Sequence, residues 1–532
     1  MYQYYNENWM LAIHTMRQIS ELLPFTFGVE IEVLFTIDQT KVENDPRYSY
    51  LRFENYQSDE RDMIGQYANK EDWLGENHES DYMPGQFVDK KDWLGQAATV
   101  LRRRGGDLAI LSPNTFIPED DSEVFQHWVL TTECAVIFPK SDKQISAWSD
   151  NQVQDIGERT LVGLELISPI LAIPDLEVSE HESESLAEVN HYLDILTRRS
   201  SARTPYHFMA GPRSTAVHVH VGLEPSENGQ VAIPLDIVRH LAWIVICFED
   251  ILTLLHHPER HGYRGTKSDG RAHSNRAVYG RLYHHSCKKF PLMKAFLEIF
   301  RDDIQSYVNG EVRMGEYPYG DCFVNFTNAA PFDHKTQKMT VEFRQHHGTL
   351  DKKDIDEWIM FVTAIIRAAE RKANQGRQIV ELPDNVIEEV GDNQQVITEM
   401  SKYAATFNSP KRTLKELFDL MELPNEKRRY WWDRAKTFQA LLFKRRTGRY
   451  YAQSYCTTLW CDGITLRDCE GWEAGELDTQ PWDEPQQSDP ETDEASVMEV
   501  DSDEDFQMIS DSTTVEASVM EVDSDEDFHM IN

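Results

Sequence analysis

Val341-Glu342-Phe343-Arg344-Gln345-His346-His347-Gly348-Thr349-Leu350-Asp351 opens as a β-strand. Val341 and Phe343 are apolar, and Glu342, Arg344 and His346 alternate with them at the period of two that marks a half-buried strand. Alternate residues share a face, so a carboxylate, a guanidinium and an imidazole are expected in one row with hydrocarbon behind them. Taken alone, this row also fits a surface ion-pair ladder.

Two other stretches repeat the design: Phe27-Gly28-Val29-Glu30-Ile31-Glu32-Val33-Leu34-Phe35 and Ala216-Val217-His218-Val219-His220-Val221-Gly222-Leu223. Each sets two metal-competent groups at i and i+2 inside an apolar, β-prone frame. Buried charge is costly unless it is paired or binds a metal. Three strands that present such groups to one side therefore predict a sheet with a hard cation on one face. Glu30, Glu32 and Glu342 suit Mg²⁺ or Mn²⁺, with an imidazole as a borderline donor.

The chain has 532 residues, enough for two or three domains. No apolar run is long enough to span a bilayer; the best candidate, Leu241 to Leu255, is interrupted by Glu249 and Asp250. The first ten residues are unlike a signal or transit peptide. Seven cysteines without paired spacing fit a reducing compartment, and Cys456, Cys461 and Cys469 lack a matching set for zinc. An intracellular protein of the cytoplasm is expected, with the nucleus left open. The formal charge of −38 is concentrated in the tail, where 23 acidic residues and no Lys or Arg follow from Asp468 onward. With no large basic field to displace counterions, direct nucleic-acid binding is disfavoured.

Four regions are expected along the chain. Residues 1–24 form a helical segment. Residues 25–371 form the principal domain, carrying a polar insert at 38–96. In the insert, Gly65-Gln66-Tyr67 to Trp73-Leu74-Gly75 recurs as Gly85-Gln86-Phe87 to Trp93-Leu94-Gly95, which reads as a surface elaboration. Trp128 to Phe138 and Thr160 to Ser168 read as strands, the second closed by Pro169. Glu165 is a lone acid in that second strand, and an edge position facing water is its bland reading. Pro234 to His257 reads as a long apolar helix with Pro234 at its first turn. The loop after it, Arg260-His261-Gly262-Tyr263-Arg264-Gly265, sets basic residues among glycines, a weak sign of a phosphate-covering segment. Asp351 to Arg371 is a helix with Ile355, Trp358, Ile359, Val362, Ile365 and Ile366 toward the core. Residues 372–466 form a helical basic region whose Tyr430, Trp431 and Trp432 are expected to pack. Residues 467–532 form an acidic tail in which Glu494 to Phe506 recurs as Glu516 to Phe528; low hydrophobicity and dense charge predict disorder there. The tail is a candidate ligand for a basic protein or for the chain's own basic region.

Taken together, Phe27 to Glu32, Gly163-Leu164-Glu165-Leu166-Ile167-Ser168-Pro169, His218-Val219-His220-Val221-Gly222 and Glu342 to Asp351 closely resemble the amidoligase family. This family is a branch of the carboxylate–amine ligase superfamily that includes glutamine synthetase. The resemblance covers about residues 25–371 and rests on four motifs in order. It implies an α+β fold, a curved antiparallel sheet forming a glutamine synthetase-like half-barrel with helices on its convex side. It also implies ATP-dependent amide-bond formation through an acyl phosphate, with Mg²⁺ or Mn²⁺ on the nucleotide. On that resemblance, Glu30, Glu32, Glu165, His218 and Glu342 are the metal ligands. The resemblance also implies that His220 lies near the nucleotide phosphates, while Arg260 and Arg264 are candidates for covering them on the basic-loop reading alone. Arg344 stabilises the transferring phosphoryl group, a task suited to a planar, permanent charge. Glu342, His220 and Arg344 are thus the catalytic candidates.

One motif departs from the family. Members tend to carry Trp, Asp and Ser on the second strand, whereas this chain has Trp128, Glu133 and Ala135. Loss of the hydroxyl at Ala135 bears on substrate binding more than on metal binding. Two other function classes are open from the residues alone. One is a metal-dependent hydrolase built on the His-x-His pair and the glutamates. The other is a non-catalytic scaffold whose acidic tail recruits basic partners.

Overall fold

Strand β1 (Phe25–Ile37) is the centre of the fold, thirteen residues long and almost wholly buried. The structure, a computed structural model, describes residues 22–52, 90–111, 126–133, 160–176, 183–198, 204–212, 214–226, 231–257, 260, 275, 296–297, 299–300, 322–326, 329, 339–375, 390, 393–408 and 413–446. The N-terminal helical pattern, the first copy of the short repeat, Arg264, Ala135 and the acidic tail lie outside these residues.

After β1 come helix α1 (Gln39–Asn44), a 3-10 turn (Pro46–Leu51), α2 (Lys90–Arg103) and strands β2 (Leu108–Ile110), β3 (Trp128–Thr132), β4 (Thr160–Ile167) and β5 (Leu171–Ala172). Helix α3 (Glu184–Thr197), β6 (Tyr206–Met209), β7 (Ala216–Leu223), α4 (Leu235–Leu254), β8 (Val324–Asn325) and β9 (Val341–His347) follow. The described chain then becomes helical: α5 (Lys352–Asn374), α6 (Gln394–Ser401), α7 (Ala404–Asn408), α8 (Leu414–Met421) and α9 (Asn425–Arg446).

The fold is mixed α+β, with the nine described strands in one open sheet. Its order is β2-β3-β4-β1-β7-β9-β8, with β5 and β6 also paired to β1. Every described pairing is antiparallel except β2 with β3, which run parallel. The expectation of a wholly antiparallel sheet therefore fails at that edge. A parallel neighbour requires a crossover between the two strands, and short strands such as Leu108–Ile110 give no sequence sign of direction.

Period-two alternation divides the sheet into two faces. Val29, Ile31 and Val33 of β1, Val217, Val219 and Val221 of β7, and Val341 and Phe343 of β9 are all buried on one side. Helix α5 covers that side, with Trp358 6.4 Å from the Phe343 ring, and α4 packs on α5. Asp351 caps α5 by accepting the Asp354 N–H at 2.9 Å, so the end of the organising motif is a helix start. The expected insert contributes to the core at its end. Helix α2 begins at Lys90, inside the second copy of the repeat, and buries Trp93 and Leu94. That corrects the reading of this copy as surface elaboration: its Trp-Leu pair supplies hydrocarbon that the α2 face needs.

Helices α6, α8 and α9 share the same hydrophobic core through Val396, Leu417, Phe418, Trp431 and Trp432. At the junction of β7 and β9, Gly348 donates its N–H to the Thr215 carbonyl at 2.8 Å. A Cβ on Gly348 would lie 2.6 Å from the Thr215 carbonyl carbon, inside van der Waals contact with backbone that cannot swing away. Gly348→Ala should therefore destabilise the protein by about 1–3 kcal/mol. Chemical denaturation checks this, and an unchanged midpoint would show that the crossing relaxes freely.

Candidate functional site

The face of the sheet opposite α5 carries the ionisable groups. Register brings them together: Glu32 stands opposite Glu165 on β4, Glu30 opposite His218 on β7, and His220 opposite Glu342 on β9. Directly opposed residues project to the same side of a sheet. Glu30, Glu32, His218, His220 and Glu342 are all buried, while Glu165 and Arg344 are partly exposed. Five separate sequence segments thus contribute to one cluster once Asn325 of β8 is included.

His220 Nε2 lies 2.9 Å from Glu30 Oε1, and its Nδ1 is 3.2 Å from Thr340 Oγ1. His218 Nδ1 lies 3.4 Å from both Glu30 Oε2 and Glu342 Oε1, and its Nε2 is 3.7 Å from Glu32 Oε1. Arg344 Nη1 bonds Glu342 Oε1, while Asn325 Nδ2 donates to Glu342 Oε2 at 2.9 Å. Two groups of potential ligand atoms result, each within 4.8 Å of one another: Glu30, His218 and Glu342, and Glu32, Glu165 and His218. Donors on opposite sides of a Mg²⁺ ion are about 4 Å apart, twice the bond length, so both groups are close to ligation spacing.

Burial pushes the His218 imidazole down from its ordinary range, with the Arg344 charge adding to the effect. Its ring is therefore held neutral, with a lone pair to offer. Burial works to raise the Glu342 carboxyl, yet the neighbouring His220 and the Arg344 guanidinium outweigh it and hold the group below the usual carboxylate range. Glu32 Oε2 and His218 Nε2 are buried without a hydrogen-bond partner among the described residues. Orphaned acceptors amid four carboxylates are what a divalent cation would satisfy, so the donor set fits the metal.

The structure leaves one member out of the expected row. Val219 pairs with Phe343 but Val217 pairs with His346, so β9 carries one extra residue opposite His218. This bulge turns His346 to the apolar side, fully buried against Trp358 at 5.4 Å. Of the three groups expected in line, Glu342 and Arg344 remain in the cluster and His346 leaves it. Arg260 is buried, and its Nη2 donates to the Arg344 carbonyl at 2.8 Å, which ties the loop after α4 to the site strand. On the second strand, Trp128 stacks on Tyr192 at 4.1 Å and donates to Glu188, while the Glu133 N–H extends the β3–β4 pairing to Gly163.

Asn325 and Thr340 were not singled out in the sequence, and Ser168 entered only as part of the Gly163 to Pro169 motif. Ser168 Oγ accepts the Val29 N–H at 2.8 Å and donates to the Pro169 carbonyl, fixing the backbone between Gly28 and Glu30. Their signal was faint: an amide in the short apolar run Cys322 to Phe326, and single hydroxyls beside strand ends.

Comparison with known proteins adds the following. The family model described as "Putative amidoligase enzyme" matches residues 23–366. No curated protein matches the chain. Among solved structures, a crystal structure of a bifunctional glutathione synthetase from Pasteurella multocida is similar at 11% identity and a TM-score of 0.25. The match covers 56% of this chain and 45% of that one, a likeness too slight to support an argument.

The Asn325 side-chain amide donates to Glu342 and so orients that carboxylate from behind. Asn325→Ala should weaken Mn²⁺ binding about 10- to 100-fold, as followed by electron paramagnetic resonance of the free ion. Unaltered affinity in a folded variant would remove Glu342 from the ligand set.

Proposed function

Because the chain belongs to the amidoligase family, we propose that it is an ATP- and divalent-metal-dependent carboxylate–amine ligase. The observation that supports this best is the joining of two carboxylate–imidazole groups through His218, with the Arg344 guanidinium beside them. In this reading the sheet is the curved, glutamine synthetase-like half-barrel of the superfamily, and residues 25–371 are its catalytic domain. Helices α6, α8 and α9 buttress it through the shared core.

Glu30 and Glu342 on one side and Glu32 and Glu165 on the other would supply the carboxylate ligands, and the one lone pair of neutral His218 would go to a cation in either group. Bound Mg²⁺ or Mn²⁺ would supply positive charge to offset the charge of phosphoryl transfer. The protein's own residues do the rest. Arg344 presents a permanent positive charge to the γ-phosphoryl oxygens. His220, steadied by Thr340, donates from beside them. Arg260 holds the strand backbone at Arg344.

The chemistry is two displacements. A substrate carboxylate oxygen attacks the γ-phosphorus, the bond to the β-phosphate oxygen breaks, and ADP leaves. An amine nitrogen then attacks the acyl carbon, inorganic phosphate departs, and the nitrogen loses a proton to form the amide. Substrates are accordingly a small carboxylate and an amine. The metal-dependent hydrolase is disfavoured by the oxygen-rich donor set, which suits Mg²⁺ above Zn²⁺.

An ATP-consumption screen over amino acids and amines, with mass spectrometry of the products, tests the proposal. A condensed product and phosphate release are expected; nucleotide-independent hydrolysis with bound zinc would overturn it. Glu342→Gln should lower turnover at least about 100-fold with the fold intact. Arg344→Lys should cost about 10²–10³ in kcat, because a point charge does not replace the planar fork. Near-normal turnover in either variant would refute the role assigned to that residue.

A further inference from the structure

The bulge that removes His346 from the candidate site delivers it to a second polar cluster, on the α5 side of the sheet. There His346, His347 and Asp354 place a ligand atom each within 4.8 Å of one another, and all are buried or nearly so. His346 Nδ1 donates to the His347 carbonyl at 2.8 Å, which leaves its Nε2 lone pair facing inward. Two imidazoles and a carboxylate form a donor set typical of zinc-class ions.

The centre of this cluster is taken. Arg434 of α9 enters it with a side chain only 9% exposed. Its Nη2 donates to His346 Nε2 at 2.9 Å and to His347 Nδ1 at 3.2 Å. Its Nη1 pairs with Asp354 Oδ1 and donates to Tyr430 Oη at 2.8 Å, and its Nε donates to the Leu255 carbonyl at 3.2 Å. Each of the five guanidinium N–H groups therefore has an acceptor. These acceptors come from the end of α4, the end of β9, the start of α5 and α9 itself. Tyr430 also donates to Asp354 at 2.6 Å, and one turn earlier Lys427 pairs with buried Glu357 at 2.9 Å. Burial holds both imidazoles neutral, aided at each by the Arg434 charge.

We propose that His346, His347 and Asp354 form a cation-binding pocket filled from within by Arg434, which clamps α9 to the strand that carries Glu342 and Arg344. Arg434 is a positioning residue that stands where a metal ion would otherwise fit. The proposal is independent of the ligase reading, because it concerns the opposite side of the sheet and a helix beyond residues 23–366. It also makes α9 part of the unit that fixes the site strand.

The test uses the full chain and Co²⁺, whose visible absorption reports nitrogen and oxygen ligation. Arg434→Ala should lower Tm by roughly 6–10 °C, as expected for a broken buried ion pair. It should then take up one Co²⁺ more than wild type, and Zn²⁺ should restore Tm. The double variant Arg434→Ala with His347→Ala should lose only the added ion. Arg434→Lys, which keeps a charge in the pocket, should take up no extra Co²⁺. Equal Co²⁺ uptake by wild type and Arg434→Ala would overturn the proposal. So would a wild-type Co²⁺ ion that His347→Ala removes, because Arg434 would then not be the occupant. If Arg434→Ala needs Zn²⁺ to fold, the proposal stands; if it stays unfolded with Zn²⁺ present, it falls.

Discussion

Four carboxylates converge on one face of a sheet whose opposite face is largely hydrocarbon, and that concentration of negative charge constrains everything around it. Each ion withdrawn from water costs several kcal/mol unless partners replace its hydration. Glu342 is supplied with an amide from Asn325, a guanidinium from Arg344 and two imidazoles at the edge of contact. Glu30 is flanked by both imidazoles, whereas one oxygen of Glu32 has no hydrogen-bond partner among the described residues. The incompleteness is local and directional, at the side where Glu32, Glu165 and His218 meet. A fold that stabilised only itself would gain by replacing such groups with apolar ones. Their meeting at matched register positions supports the proposed site.

The rest of the architecture keeps those side chains in register. β1 pairs with β4 along one edge and with β7 along the other, so Glu30 and Glu32 cannot shift without breaking both ladders. The valine rows behind them lock the same register through burial, because a slip of one residue would drive carboxylates against α5 and α4. β9 is held from three directions: Asn325 of β8 at Glu342, Arg260 at the Arg344 carbonyl, and Arg434 at His346 and His347. Two of these anchors are buried arginines that act on backbone or on other side chains.

Much of the sheet was legible because alternation is a direct record of burial. Glu30, Glu32, His218, His220 and Glu342 stand where period-two reading puts them, on one face. The core side of α5 was equally open to reading, since Ile355, Trp358, Ile359, Val362, Ile365 and Ile366 are buried as their spacing implies. His346 was misassigned because a bulge adds a residue without any change of composition, and alternation read past it inverts every later side chain. Trp93 and Leu94 were misplaced because a repeated motif suggested ornament, although its second copy begins helix α2. Arg434 was out of reach for another reason. Its partners at 255, 346, 347 and 354 are distant in sequence, and a basic helix carries no mark of which cation turns inward.

The placement of β1 also bears on how the protein is made. Among the described strands it is the first to leave the ribosome, and its neighbours lie far downstream, at residues 160–172 and 206–223. At ordinary translation rates, on the order of ten seconds pass before β4 emerges. During that interval a thirteen-residue apolar ribbon offers both unpaired edges to any nascent chain nearby. Glu30 and Glu32, charged and unshielded in that state, repel a second copy of the same ribbon laid alongside. The carboxylates that later burden the folded interior thus act as gatekeepers against self-association while the sheet is still incomplete.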